Sequence, residues 1–211
     1  MKIKQFTIAV LILTVSASFT SAQTRQDTIE AYKTMIGQYR AEKDARLMNT
    51  AVSPLSADQI QRFQGLSYFP IEYTYNLTGN FIPDDAPGKE RLNLSGGGSS
   101  RFVKSGRVVF SLDGVEYTLS VYQNNDLQEF AGNPAQLFIP FKDATTGEQS
   151  HPNGRYVTIT PPEQGNQVTL DFNKAMNPYG AYDSTIPSVL PPPDNVLTIP
   201  LPTGERKYDD R

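Results

Sequence analysis

The sequence predicts a mainly β domain, an antiparallel β-barrel or sandwich, with one or two helices at its N-terminal end. The segment RVVFSLDGVEYTLSVYQ, residues 107–123, has the alternation and the turn of a β-hairpin. Short β-type runs follow it between turns rich in Gly, Pro and Asn, whereas helix-type periodicity is confined to the first 65 residues. Because no β-α-β alternation occurs, an antiparallel sheet is favoured over a parallel one.

The first 22 residues are predicted to be a secretory signal peptide. Lys2 and Lys4 precede the apolar run FTIAVLILTVSASF, and small residues come immediately before Gln23. The run is shorter than the roughly 20 residues of a membrane-spanning helix, although a retained N-terminal anchor is the alternative interpretation. We therefore expect a secreted, periplasmic bacterial protein with one domain at 23–211 and no membrane span after signal removal.

Charge and cysteine content exclude several classes of function. Removal of Lys2 and Lys4 leaves 17 of the 19 basic residues against 22 acidic ones, a net charge near −5. Nucleic acids and anionic membranes are bound by basic surfaces, so neither is expected as a partner. The chain has no cysteine, which excludes disulfides, thiolate metal sites and a cysteine nucleophile.

Two helices are predicted before the β region. The first covers 27–48, with Asp27 as its N-cap, Glu30 three residues later, and an apolar stripe at helical spacing formed by Ile29, Tyr32, Ile36 and Tyr39. The second begins after Ser56, which is expected to form a capping box with Gln59 and to be followed by helix until near Gly65.

The hairpin at 107–123 specifies its own register. Asp113-Gly114 is a two-residue turn, since a primed turn requires positive φ at both central positions. Pairing across this turn places three apolar pairs on one face: Leu112 with Val115, Phe110 with Tyr117, and Val108 with Leu119. A slip of one residue would turn this whole set to the opposite face.

Four more strands are predicted, at 136–141, 155–160, 168–172 and 196–201. Among the connections, LSGGGSSR at 94–101 is expected to be a flexible hairpin loop, and the final ERKYDDR a solvated tail. The connection NPYGAYDSTIPSVLPPPDN, residues 177–195, interleaves prolines with apolar residues and has no basic flank. This favours a stiff, packed crossing between two core strands over a proline-rich ligand for a partner.

Most catalytic and cofactor motifs are absent. No nucleophile elbow and no glycine-rich nucleotide loop occurs. The one histidine, His151, lies in the turn HPNG, where we expect an exposed residue rather than a general base. The oxygen-rich run after Asp143 is too short and too poor in carboxylates for a calcium loop. We predict no metal and no cofactor.

The candidate ligand-binding residues are polar side chains at predicted strand ends: Asp143, Arg155, Asp171, Asn173 and Tyr182. Asp143 is expected to cap a turn with its own side chain. Arg155 opens a strand, where its guanidinium can hold a ligand carboxylate or phosphate, or instead pair with Asp143 or Asp171. Asp171 and Asn173 share one face of a strand end. Tyr182 lies in the 177–195 crossing, either as a pocket wall or as packing.

Several blocks of this sequence resemble the bacterial domain-of-unknown-function family 1684. They are PLSADQIQRFQGLSYFPI, FIPFKDATTGE, NGRYVTI, LDFNKAMNPYGAYD and LPPPDNVLTIPLPTGE, in this order, and span about 39–205. The resemblance implies no activity, because none is established for the family. It marks the five candidate residues and, with them, Thr145, Gly147, Tyr156, Asn177, Pro178, Pro191 to Pro193 and Asn195.

Three functions stay open at this point. The leading hypothesis is a periplasmic binding or interaction module for an unknown small molecule or protein, with the five candidate residues around its pocket. The second is a hydrolase-like enzyme with Asp143 or Asp171 as base and Arg155 holding an anionic substrate; a paired arginine, however, lowers the pKa of a carboxylate and suits a general base poorly. The third is a purely structural domain in which these residues form a buried latch.

Overall fold

Six antiparallel strands form one sheet that curls into a half-barrel, which confirms the mainly β prediction. The computed structural model describes residues 6–123 and 136–209, with side chains from residue 23 onward. The strands are β1 Asn76–Asn93, β2 Ser99–Leu112, β3 Val115–Gln123, β4 Leu137–Phe141, β5 Arg155–Ile159 and β6 Gln167–Asp171. Their order in the sheet is β5-β4-β3-β2-β1-β6. The helices are α1, Phe6–Leu47, and α2, Ala57–Arg62.

The β2–β3 hairpin has the predicted register. Leu112 pairs with Val115, Phe110 with Tyr117, and Val108 with Leu119. The turn residues Asp113 and Gly114 have φ values of 52° and 78°, as a primed turn requires. The connection from β1 to β2 is a tight turn at 94–98. Strand β2 therefore begins at Ser99, inside the segment 94–101 that was predicted to be a flexible loop.

The first helix is longer than predicted. It begins at Phe6, not at Asp27, whose carboxylate instead accepts a hydrogen bond from the Gln23 side chain one turn earlier in the same helix. A capping residue favours a helix start but does not force one, and residues 6–26 contain neither Gly nor Pro to end a helix. The Ser56–Gln59 capping box of α2 is confirmed, although α2 ends at Arg62. Among the described residues, no helix has the length and apolarity needed to cross a membrane.

The predicted strand at 196–201 does not form. This stretch makes one isolated bridge, from Val196 to Lys142. The Leu201 amide donates to the Asp143 carboxylate and not to a strand. Pro200 cannot donate to a ladder, which removes one of the donors that a strand at 196–201 would need. The segment after it is also not a solvated tail throughout, because Glu205 is 1% exposed.

Both faces of the sheet are covered where β3, β4 and β5 lie side by side. On the inner face, the core contains Val121, Ile139 and Val157, while Tyr122, Phe138 and Tyr156 alternate with them on the other face. The 177–195 crossing covers that second face: the Tyr156 hydroxyl donates to the carbonyl of its Val189 at 2.9 Å.

The crossing ends at a fully buried asparagine that joins two strands. The Asn195 amide donates to the carbonyls of Ser120 at 2.9 Å and Pro140 at 2.7 Å, and its oxygen accepts from the Ser120 amide at 2.7 Å. Since Pro140 has no N–H for β3, the asparagine supplies the missing donor. The crossing is therefore a packed structural element.

Candidate functional site

The five candidate residues are buried, and the structure joins them in one network of hydrogen bonds, here called the latch. Each of the five is 6% exposed or less. The segment 201–205 runs through the network and contributes backbone groups and two further side chains. The latch consists of Asp143, Arg155, Asp171, Asn173, Tyr182, Thr203 and Glu205.

Arg155, the first residue of β5, directs its guanidinium at this segment. Its Nη2 donates to Asp143 Oδ1 at 3.3 Å and to the Leu201 carbonyl at 2.9 Å. Its Nη1 donates to the carbonyls of Thr203 and, at 3.2 Å, of Glu205. Burial is the main effect on the pKa of Arg155 and lowers it, whereas Asp143 opposes this shift. A ligand anion could reach the guanidinium only by displacing the C-terminal segment.

The Asp143 carboxylate is equally occupied. It accepts from Thr145 Oγ1 at 3.0 and 2.9 Å, and from the Leu201 amide at 2.7 Å. The side chain thus caps its own turn, as predicted, and pairs with Arg155. No oxygen of Asp143 is left to take a proton from a substrate without loss of an internal hydrogen bond.

Asp171 and Asn173 tie the end of β6 to distant parts of the chain. Asp171 Oδ1 accepts from the Tyr32 hydroxyl of α1 at 2.7 Å and from the Asn173 amide at 3.0 Å. Asn173 Oδ1 accepts from the Glu72 amide at 3.0 Å and from Thr203 Oγ1 at 2.8 Å. Burial, and then the Asp171 carboxylate, raise the pKa of Tyr32 far above its usual value, which keeps the hydroxyl a donor.

Tyr182 joins the latch through Glu205, a residue that sequence analysis missed. The Tyr182 hydroxyl and the Asn177 amide each donate to Glu205 Oε2 at 2.7 Å, and Lys43 of α1 forms a close salt bridge with Oε1. A signal for this was present in the final family-like block, which ends in Thr-Gly-Glu. Gly204 has φ +76°, and a Cβ there would lie 2.7 Å from the Ala175 carbonyl oxygen, so the turn between Thr203 and Glu205 needs glycine.

A cleft of about 310 Å³ lies on the other side of this salt bridge, between α1 and the edges of the half-barrel. It is here called the cleft. Backbone hydrogen bonds between Tyr156 and Met176 join β5 to the chain after β6 beside it. The α1 side is lined by Tyr39, Glu42, Lys43, Arg46 and Leu47, and the opposite side by Gln136, Thr158, Lys174, Met176 and Tyr179. None of the five latch residues predicted from sequence lines it.

Charged side chains in the cleft differ from those in the latch in their partners. Lys43 is paired with Glu205, but Arg46 and Lys174 form no salt bridge with any described residue. The Lys174 ammonium lies 5.6 Å from the centre of the Tyr39 ring. Burial is the main cause that raises the pKa of Tyr39 to about 12, so its hydroxyl stays protonated at neutral pH.

His151 was expected to be exposed, but the structure shows it half-buried. Its Nε2 is enclosed without a hydrogen-bond partner among the described residues. Burial, with a further contribution from Lys207, lowers the pKa of His151. In the ranges that the structure describes, no group of three or more acidic or histidine side chains could hold a metal ion.

Comparisons with known proteins identify a family and a similar solved structure. A model of the family described as "Protein of unknown function (DUF1684)" matches residues 61–206. The solution NMR structure of an uncharacterized protein of Haloarcula marismortui is similar, with a TM-score of 0.64 and 32% sequence identity. The similarity covers 86% of this chain and 96% of that one. No curated protein matches the chain.

Proposed function

This chain belongs to the DUF1684 family of proteins of unknown function, and on that premise we propose that it is an exported small-ligand-binding domain whose ligand lies in the cleft. One observation carries the proposal. Charged and aromatic side chains line an open space there, whereas every predicted site residue is engaged inside the protein. Binding sites are commonly concave, partly apolar spaces with a few polar groups, and the cleft has this composition.

The five predicted site residues do not line the cleft, and in this proposal they support the elements that do. Tyr182 and Arg155 bond to the side chain and the carbonyl of Glu205, and Glu205 in turn holds Lys43 at the cleft wall. Tyr32 and Asp171 fix α1 to β6. In this proposal the latch positions α1, and α1 supplies one side of the binding site.

The hydrolase alternative has less support. It requires an aspartate that can accept a proton and an arginine that can hold a substrate anion. Both Asp143 oxygens and both terminal nitrogens of Arg155 are already hydrogen-bonded within the protein. Catalysis by these groups would first require the 201–205 segment to leave.

The export part of the proposal depends on residues 1–22. Signal cleavage before Gln23 should yield a chain that begins at this residue. Mass spectrometry of the protein from an extracytoplasmic fraction measures this directly. Recovery of the intact N-terminus in the cytoplasm alone would contradict export and would leave ligand binding as a separate question.

A thermal-shift screen of the purified protein against small molecules tests ligand binding. Native-state binding raises the melting temperature by mass action, by roughly 2–4 °C for each kcal/mol in a domain of this size. Thr158→Trp places a large ring in the cleft and should abolish the shift. Thr169→Trp, at an exposed position on neighbouring β6, is the matched control. Equal shifts in the two variants would place the ligand elsewhere.

A further inference from the structure

Two positive charges in the cleft are not neutralised within the described part of the protein. Lys43 has its partner in Glu205, whereas Arg46 and Lys174 have no carboxylate of the described residues within salt-bridge distance. They approach from opposite sides, because Arg46 belongs to the last turn of α1 and Lys174 to the turn after β6. A ligand in the cleft therefore lies between two cations.

The helix presents these groups as one surface. Tyr39, Lys43 and Arg46 are spaced four and three residues apart, which places them on one face of α1. The Tyr39 ring has Lys174 close to its face, and its hydroxyl, with a pKa of about 12, remains a donor at neutral pH. The α1 side of the cleft thus supplies charged groups and a hydroxyl donor, and Lys174 supplies a second cation from the opposite side.

The balance of charge limits what the cleft can hold. Lys43, Arg46 and Lys174 are opposed by Glu42 in the lining and Glu205 behind it, so one positive charge remains. The C-terminal end of α1 adds partial negative charge near Arg46. One negative charge on a ligand is therefore compensated, and a second is not.

Apolar surface is also present in the lining. Leu47, Met176 and the rings of Tyr39 and Tyr179 supply it. A volume of 310 Å³ equals about ten water molecules at roughly 30 Å³ each, which suits a body of the size of one or two rings.

We propose that the cleft binds a small organic monoanion, a carboxylate on a flat apolar body, between Arg46 and Lys174. This inference depends on the proposed function and narrows it to one class of ligand. Arg46 and Lys174 hold the carboxylate by charge-assisted hydrogen bonds, and the ring of Tyr39 packs against the apolar body.

Four probes of one shape and different charge test the proposal: benzoate, benzamide, benzylamine and phenyl phosphate. Their dissociation constants are measured by NMR titration of the full chain at fixed low salt and neutral pH. Benzoate should bind roughly tenfold more tightly than benzamide, because its carboxylate brings a negative charge to the two cationic donors, whereas the amide oxygen of benzamide is neutral. Phenyl phosphate should bind no more tightly than benzoate, and benzylamine most weakly.

Variants show which cations are responsible. Arg46→Met and Lys174→Met should each weaken benzoate binding about tenfold, the loss expected for one hydrogen bond to a charged group. They should weaken benzamide binding by a smaller factor, because its amide oxygen carries no net charge. Lys89→Met, at an exposed position of β1 outside the cleft, is the matched control and should have no effect.

The outcomes separate this inference from the proposed function. If benzamide or benzylamine binds as tightly as benzoate and Thr158→Trp abolishes that binding, the cleft is a ligand site but the monoanion is wrong. Tighter binding of phenyl phosphate than of benzoate would also overturn the monoanion. If neither the probes nor the screened molecules bind in a manner sensitive to Thr158→Trp, both proposals fail.

Discussion

The latch and the cleft are two charged regions that meet at one ion pair. Charged groups are paired inside the protein in the latch, whereas two cations of the cleft have no ion-pair partner among the described residues. Glu205 belongs to the latch through Oε2, which accepts from Tyr182, and faces the cleft through Oε1, which holds Lys43. On the latch side, each charged group has several internal partners and almost no contact with water. On the cleft side, Arg46 and Lys174 have no ion-pair partner among the described residues and face open space.

The difference follows from the cost of burial. A buried polar group without a partner destabilises the fold by several kcal/mol, so a buried network persists only when its members satisfy one another. Such a network specifies a structure, and its hydrogen-bonded groups are not available to a ligand. A half-exposed cation keeps its hydration and can exchange water for a ligand anion at small cost. The predictions below use matched substitutions in the two regions.

The largest contrast is expected between two arginines. Arg155→Met leaves Asp143 charged and buried and removes the donors from three carbonyls, so the free energy of unfolding should fall by about 3–5 kcal/mol. Arg46→Met removes an exposed cation and should change it by less than about 0.5 kcal/mol. Urea unfolding of both variants measures this difference.

A second substitution identifies the cause of the loss at Arg155. In Arg155→Met with Asp143→Asn, no charge stays buried alone, and part of the lost stability should return. If Arg155→Met and Arg46→Met lowered stability equally, the latch would not depend on the pairing of buried charges that its contacts indicate.

A smaller contrast is expected between two tyrosines. Tyr182→Phe removes the hydroxyl that donates to the buried Glu205 carboxylate and should cost about 2 kcal/mol, as for other hydrogen bonds to charged groups. Tyr39→Phe keeps the ring beside Lys174 and removes a hydroxyl at the cleft, so its cost should be below about 0.5 kcal/mol. Thermal and urea unfolding of the pair would agree on this order, and a larger loss at Tyr39 would reverse the assignment of the two regions.

The parts of the fold that the sequence predicts are those with local causes. The β2–β3 register follows from Asp113-Gly114 and from alternation over a few residues on either side, and the structure has the same pairs. The start of α1 was wrong because Asp27 satisfies the local rule for a cap, while nothing in 6–26 prevents the helix from continuing. The strand at 196–201 was wrong because its apolar residues alternate, whereas the Leu201 amide bonds to the Asp143 carboxylate instead of to a strand.

The sequence grouped five residues of the latch, as a candidate ligand site, but it indicated neither most of their connections nor the cleft. Asp143 and Arg155 lie twelve residues apart, and their pairing was among the alternatives from sequence. Tyr32 and Asp171 are 139 residues apart, and no local pattern links them. Glu205 was taken for part of a charged tail because its neighbours are charged and exposed; its burial depends on the turn at Gly204 and on partners from α1 and the crossing. The cleft depends on the same long-range packing of α1, which local patterns do not contain.

The smallest effect is expected at Asp44, a carboxylate of α1 that shares properties of both regions. It accepts from the Leu66 amide at 3.3 Å and the Tyr68 hydroxyl at 3.1 Å, yet it is only half-buried. Burial is the main cause that raises its pKa above the usual value, against the opposing effect of these hydrogen bonds. The folded state therefore binds this proton more tightly than the unfolded state does.

The sign of the pH dependence follows from that difference. The contribution of Asp44 to stability is fully present below the pKa of the unfolded chain and is lost as pH rises through the raised pKa of the folded state. Asp44→Asn should remove this loss, so the stability of the variant relative to the wild type should increase with pH from about 3.5 to 7, by less than about 1 kcal/mol because solvent screens a half-exposed group. Urea unfolding across this range measures the difference, with Asp85→Asn on the exposed part of β1 as the control. A relative stability that decreased with pH would mean that the two hydrogen bonds outweigh burial, and that Asp44 behaves like the carboxylates of the latch.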